Sequence, residues 1–170
     1  MLGSQNKKLV NVGSLVLPIP KIDDLEMPSE SMDGINSILI SSLLLKIVKA
    51  FPGTNFLLDH LARPVINDGP PYAKAQSLWD IAGYKNIYLK LTSRTVEHCQ
   101  QGQSTPEAFM AKVLSTFGAK RVLWGSNFPA HDDTLKNIVD ETMHVLASLS
   151  DADRAQILSG TALDLYPSLK

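Results

Sequence analysis

The sequence predicts an α/β protein in which helices cover a parallel sheet, and three observations carry that expectation. From residue 35 onward, short apolar strand-like runs alternate with helical stretches, the order that builds parallel sheets from successive β/α units. Residues 86–92 alternate between a wholly apolar row (Ile87, Leu89, Leu91) and a mixed row (Tyr88, Lys90, Thr92), which is strand periodicity. Two other runs end in polar groups and are then broken by proline: Leu58-Asp59-His60 before Pro64, and Gly125-Ser126-Asn127 before Pro129. Apolar strands that deliver polar side chains at their C-terminal ends are how a β/α barrel presents its active site.

In chain order, residues 9–17 read as a strand, whereas residues 18–34, with Pro18, Pro20, Pro28 and Gly34, read as an irregular connection. Ile35 to Ala50 lacks strong breakers and is long enough for a helix, which Phe51-Pro52-Gly53 stops. A strand over Asn55 to His60 follows. Pro64, Gly69, Pro70 and Pro71 then make residues 61–74 a loop too long for a simple turn, a length that suits function. Ala75 to Ile81 is expected as a short helix ending near Gly83. Thr105, Pro106 and Glu107 are a helix start, Phe109, Val113, Leu114 and Phe117 its apolar stripe, and Gly118 its cap. The strand Val122 to Gly125 comes next. Asp132 and Asp133 are placed in the first turn of a helix, near the positive end of its dipole, with Leu135, Ile138, Val139, Thr142 and Leu146 on one face. A last helix starts at Ser150, runs through Leu158 and ends at Gly160. The strands near 55–59, 86–91 and 121–125 should lie side by side, parallel and in that order, with His60, Thr92 and Asn127 at one edge.

Composition narrows the function classes. A chain of 170 residues with 44% hydrophobic residues forms one ordinary domain with a real core, and a net charge of -1 supplies no basic field for nucleic acid. The single Cys99 excludes an intrachain disulfide framework and fits a reducing, cytoplasmic setting, and the four scattered histidines form no zinc-finger spacing. The run Leu9 to Leu17 carries Asn11 and Ser14 and lacks a small-residue cleavage site, so it is not read as a signal peptide. The run Ile35 to Val48 is too polar and too short for the roughly 20 apolar residues that cross a bilayer. No membrane partner is expected.

Four ordered motifs then give a specific resemblance: residues 51–64 (Phe-Pro-Gly-Thr-Asn-Phe-Leu-Leu-Asp-His-Leu-Ala-Arg-Pro), 85–92 (Lys-Asn-Ile-Tyr-Leu-Lys-Leu-Thr), 120–129 (Lys-Arg-Val-Leu-Trp-Gly-Ser-Asn-Phe-Pro) and 150–166. In that order they resemble the C-terminal half of the amidohydrolase-related family, which includes dicarboxylate lactonases, other metal-dependent hydrolases and some decarboxylases. The resemblance implies a partial TIM-like (β/α) barrel comprising the last three or four β/α units over residues 35–170, preceded by an irregular segment over residues 1–34. A closed eight-stranded barrel takes about 250 residues, more than this chain has. The family's usual His-x-His pair is absent. Where the pattern reads Trp-Gly-Ser-Asp, this chain has Asn127, which exchanges hydrogen bonds but cannot accept a proton near neutral pH.

The resemblance implies hydrolysis of a lactone, ester or amide of a small carboxylated compound, or decarboxylation, with a divalent metal, zinc first, in the family and a weak site or none in this chain. His60 is the expected catalytic group and metal ligand, or else a donor to a substrate carbonyl or carboxylate; a buried core histidine is its bland alternative. Asn127 is placed as a water-orienting group. Arg63, Lys90, Ser126 and His131 are the candidate substrate contacts, Arg63 because its fork suits an anion; a solvated loop arginine is the alternative for Arg63 and a solvent-exposed loop histidine, the favoured reading, for His131. Lys90, on a strand among apolar neighbours, needs either a structural ion partner or a site role. Asp59 faces away from His60 and reads as structural, Trp124 as packing against the helix layer, His98 and Cys99 as incidental, and His144 as a surface residue. A truncated, non-catalytic domain that binds a partner is the competing function, with self-association through exposed sheet edges. An incomplete gene is a third explanation for the missing half.

Overall fold

The structure, a computed structural model, describes residues 9–11, 44–130 and 132–169. Four strands form one sheet, β1 (Leu9–Asn11), β2 (Asn55–Leu58), β3 (Ile87–Leu91) and β4 (Val122–Trp124), in the order β1-β2-β3-β4. Every pair is parallel, with Val10 opposite Phe56, Phe56 opposite Ile87, and Leu89 opposite Val122. This is the predicted α/β fold and the predicted strand order. Sequential parallel strands joined by helices are the wall of a partial barrel.

The helices are α1 (Leu45–Ala50), α2 (Gln76–Asp80), α3 (Ser93–His98), α4 (Pro106–Phe117), α5 (Leu135–Val145), α6 (Asp151–Ala155) and α7 (Thr161–Leu165). Of the helix expected over 35–50 and the strand expected over 9–17, only α1 and β1 fall within the described residues.

The two rows of each strand have different fates. Phe56, Leu58, Ile87, Leu89, Leu91 and Val122 are buried in one core with Val48, Phe109, Met110, Val113 and Ile157 from the helices. That core includes an aromatic cluster in which the Tyr72 and Phe109 rings lie 5.6 Å apart, edge to face. On the opposite face, Leu57 stands beside Tyr88 and Lys90 beside Leu123, a row that mixes buried leucines with half-buried polar chains. Arg121 ties the start of β4 to the helix ends: its guanidinium donates to the Phe117 and Ala82 carbonyls at 2.9 Å and to that of Tyr84 at 3.1 Å. These bonds are what allow a charge to be nearly buried.

Capping follows the sequence at two of three helix starts. The Thr105 hydroxyl accepts from the Ala108 amide at 3.2 Å, and the Ser150 hydroxyl from the Asp153 amide at 3.1 Å. For α5 the expectation is corrected. Thr134 is the cap and accepts from the Asn137 amide at 3.2 Å, so Asp132 and Asp133 precede the helix and do not lie in its first turn, and Asp133 accepts from the Asn137 side chain at 2.9 Å. The expected apolar face of α5 holds in part: Ile138, Thr142 and Leu146, the residue after the helix, are buried, whereas Leu135 and Val139 are exposed. Gly160 does not end the last helix. A single π turn, Gln156–Gly160, joins α6 to α7, and the Gln156 amide bonds the Thr161 hydroxyl at 3.0 Å across it.

Candidate functional site

Because the strands are parallel and adjacent, the residues that follow β2, β3 and β4 emerge at one rim, which places His60, Thr92 and Asn127 along a common edge as expected. After β2 the backbone enters a left-handed turn. His60, Leu61, Ala62 and Arg63 have φ of 55°, 52°, 62° and 53°, and the Arg63 amide donates to the His60 carbonyl at 2.8 Å. Leu61 pins the turn from below, with none of its surface exposed.

The turn aims the His60 ring at the end of β3, where Nδ1 lies 2.7 Å from the Thr92 hydroxyl oxygen. Thr92 is itself fully buried, and its carbonyl accepts from the Thr95 and Val96 amides at 2.9 and 3.0 Å, so it is held on both sides. Burial lowers the His60 pKa below the usual histidine value, and the Arg63 guanidinium lowers it further; Asp59 opposes them, and Arg94 and Lys90 add smaller depressions. Burial and the Arg63 charge both favour the neutral ring.

His60 lines a groove of about 430 Å³, within the size range of small-molecule sites. Arg63 stands on the same loop, Arg94, His98 and Gln101 on the opposite wall, and among the described residues no carboxylate lines it. The far end closes where two loops meet backbone to backbone: the Gln103 amide donates to the Asn67 carbonyl at 2.9 Å. Glycine is required there. A Cβ on Gly102 would lie 2.4 Å from the Asn67 carbonyl oxygen, and Gly102 has a φ of 66°.

Sequence reasoning missed Arg94 and set His98 aside because it did not anticipate α3. A signal existed: Val96 and Cys99 are three apart, and Arg94 and His98 four apart, so an apolar face and a polar face separate on one helix turn. Cys99 is incidental to the groove. It is fully buried, and burial pushes its thiol up to about 12.

Lys90 finds the partner its strand position demanded, with Nζ 3.1 Å from Asp59 Oδ1 and both side chains mostly buried. The contact is a charge pair and not an aligned hydrogen bond, since Asp59 Oδ1 has no hydrogen-bond partner. Gly125 makes room for it, because a Cβ there would lie 2.6 Å from Lys90 Cε.

The end of β4 is less engaged. The Ser126 hydroxyl accepts from the Phe128 amide at 3.2 Å, and Asn127 is left-handed with a φ of 58°. Neither lines the groove around His60. His131 lies outside the described residues. Trp124 packs toward the helix layer and donates to the Thr142 hydroxyl on α5 at 3.0 Å, and His144 is exposed on α5.

A divalent cation does not fit the described residues on their own. No group of three or more His, Cys, Asp or Glu side chains among them converges on one point, and the positive charges of Arg63, Arg94 and Lys90 act on His60 against the single carboxylate of Asp59. Also among the described residues, no helix is long and apolar enough to cross a membrane.

Comparison with known proteins bears on the fold and the family. L-fucono-1,5-lactonase of Burkholderia ambifaria is 26% identical over 111 residues, which are 65% of this chain and 38% of the lactonase. The crystal structure of an amidohydrolase from Burkholderia multivorans with bound zinc matches 79% of this chain and 56% of its own, at 19% identity and a TM-score of 0.54. That of a dihydroxybenzoic acid decarboxylase from Polaromonas sp. JS666, with bound manganese and an inhibitor, matches 81% and 40% at 17% identity and a TM-score of 0.50. The chain thus spans between about two fifths and just over half of these three proteins. The two structures support the partial-barrel fold, and the family model described as Amidohydrolase matches residues 32–168, most of the sequence; the chain belongs to the amidohydrolase family.

Proposed function

We propose that the chain carries part of the active site of a hydrolase that opens a lactone, ester or amide of a small carboxylated compound. The observation that carries this reading is the groove in which neutral His60, anchored on Thr92, faces ligand space beside Arg63 and Arg94, with no carboxylate among the described lining residues. Arg63 and Arg94 suit a substrate carboxylate, since a guanidinium fork matches it bidentately. His60 then meets the carbonyl oxygen at the bond to be broken. Asn127, at the end of β4, orients water without taking its proton.

Hydrolysis needs a proton acceptor, and Asn127 is not one. The 170-residue chain should therefore show no turnover of lactones or carboxylated esters. Asn127→Asp alone should also fail, because the four described strands make only half the wall of an eight-stranded barrel. A graft of the N-terminal half of a related enzyme onto residues 35–170 should recover activity only with aspartate at position 127. Metal-dependent turnover by the unmodified chain would sink this reading.

The metal reading is a weak site or none in this chain by itself, since catalytic zinc takes three protein ligands. Stoichiometric metal surviving dialysis would contradict it. The second reading, a non-catalytic domain that binds a partner, is favoured by the neutral Asn127. Self-association through the sheet edges belongs to that reading, and size-exclusion chromatography with light scattering tests it.

A further inference from the structure

We propose that Thr92 is a positioning residue that locks His60 in its Nε2–H tautomer, so that the ring presents a hydrogen-bond donor to the groove. The inference deepens the reading of His60 as the group that meets a substrate oxygen, and rests on it only for what the donor does.

The argument is an accounting of protons. The Thr92 hydroxyl and His60 Nδ1 are 2.7 Å apart, so one of them donates to the other. If Nδ1–H donated, the hydroxyl proton of Thr92 would need an acceptor of its own. Thr92 is fully buried, which excludes solvent, and among the described residues its hydroxyl has no other partner. A hydroxyl proton left unbonded in such a place is costly. The arrangement that satisfies every group has Thr92 Oγ–H donating to the lone pair of Nδ1, which puts the ring proton of a neutral imidazole on Nε2.

The surroundings point the same way. Arg63 and Arg94 share the groove with His60, so the ligand surface they select is anionic or carbonyl oxygen. Such an oxygen needs a donor at Nε2 and would be repelled by a lone pair. Thr92 is well suited to the task because its backbone is also fixed: its carbonyl caps the first turn of α3 through the Thr95 and Val96 amides. The tautomer is thereby tied to the junction of β3 and α3, 32 residues from the ring it controls.

The test is the nitrogen spectrum of the uniformly ¹⁵N-labelled 170-residue chain at pH 7.5, with the His60 signals identified by their loss in His60→Gln. The expected pattern is that of the Nε2–H tautomer, together with a Thr92 hydroxyl proton protected from exchange and correlated with the His60 ring. Thr92→Val, which keeps the shape and removes the donor, should lower the Nε2–H to Nδ1–H ratio roughly fivefold, the worth of one ordinary hydrogen bond. Thr92→Ser should restore it. An Nδ1–H pattern in the unmodified chain overturns the proposal without any variant. So does a ratio that Thr92→Val leaves unchanged while circular dichroism shows the fold intact. The hydrolase reading fails separately: if the grafted enzyme is inactive while the tautomer responds as expected, the lock stands and the substrate assignment falls.

Discussion

Gly125→Ala should destabilise the protein only while Lys90 is present. The added methyl carbon would start 2.6 Å from Lys90 Cε, against the 3.4–4 Å of ordinary contact, so the lysine chain has to move by about 1 Å. The ammonium then retreats from Asp59. Moving a unit charge pair from 3.1 Å to about 4 Å weakens its attraction by about 1.2 kcal/mol at an effective dielectric near 20. Against this, replacing glycine by alanine restricts the unfolded chain and returns about 0.4–1 kcal/mol. Gly125→Ala should therefore cost up to about 1 kcal/mol with Lys90 in place and should be neutral or stabilising in a Lys90→Ala background. Urea denaturation of the four proteins in this cycle gives the coupling directly, about 1–2 kcal/mol if the reasoning holds. An equal cost in both backgrounds would show that the methyl group meets something other than the lysine, and the account of Gly125 would be wrong.

Leu61→Ala should cost about 3 kcal/mol, the middle of the range for a fully buried leucine, read as a lower urea midpoint at an unchanged slope. A change below 1 kcal/mol would mean that the side chain does not pin the turn. Cys99 should resist thiol reagents at pH 8 in the native protein and react at once in urea, because its pKa of about 12 leaves almost no thiolate. Its folded pKa exceeds the unfolded value of 9.0, so its contribution to stability is complete below pH 9 and fades as the pH rises towards 12. Stability that declines over this range equally in Cys99→Ala would remove that contribution.

The sheet was legible because its signal is local. Ile87, Leu89 and Leu91 alternate with polar neighbours, and all three are fully buried on the helix-covered face. The partner of Lys90 was half legible: the strand demanded a counter-charge, but that Asp59 supplies it depends on the register of β2 against β3. What escaped was set by short elements and by competition for caps. α3 has six residues, too few for a periodic signal, so the wall that carries Arg94 and His98 went unseen. Asp132 and Asp133 looked like a helix start, yet the Thr134 hydroxyl takes the cap. His60 stood out by its place at a strand end. Its bond to Thr92 was not, since it joins residues brought together only by the parallel pairing.

The left-handed turn over His60–Arg63 has a bearing on how the molecule fails. Each non-glycine residue in that conformation costs roughly 1 kcal/mol or more, and four in succession approach the net stability of a small domain. Such a turn cannot hold its own shape; it is imposed by the packing of Leu61 below and the bond to Thr92 beside it. Damage elsewhere should therefore appear at the rim first. A substitution that loosens the core by a small amount can release the turn while strands and helices persist, giving protein that looks folded by circular dichroism and has lost the placement of His60. Amide exchange at residues 60–63 would serve as an early gauge of such damage, ahead of any change in the global melting transition.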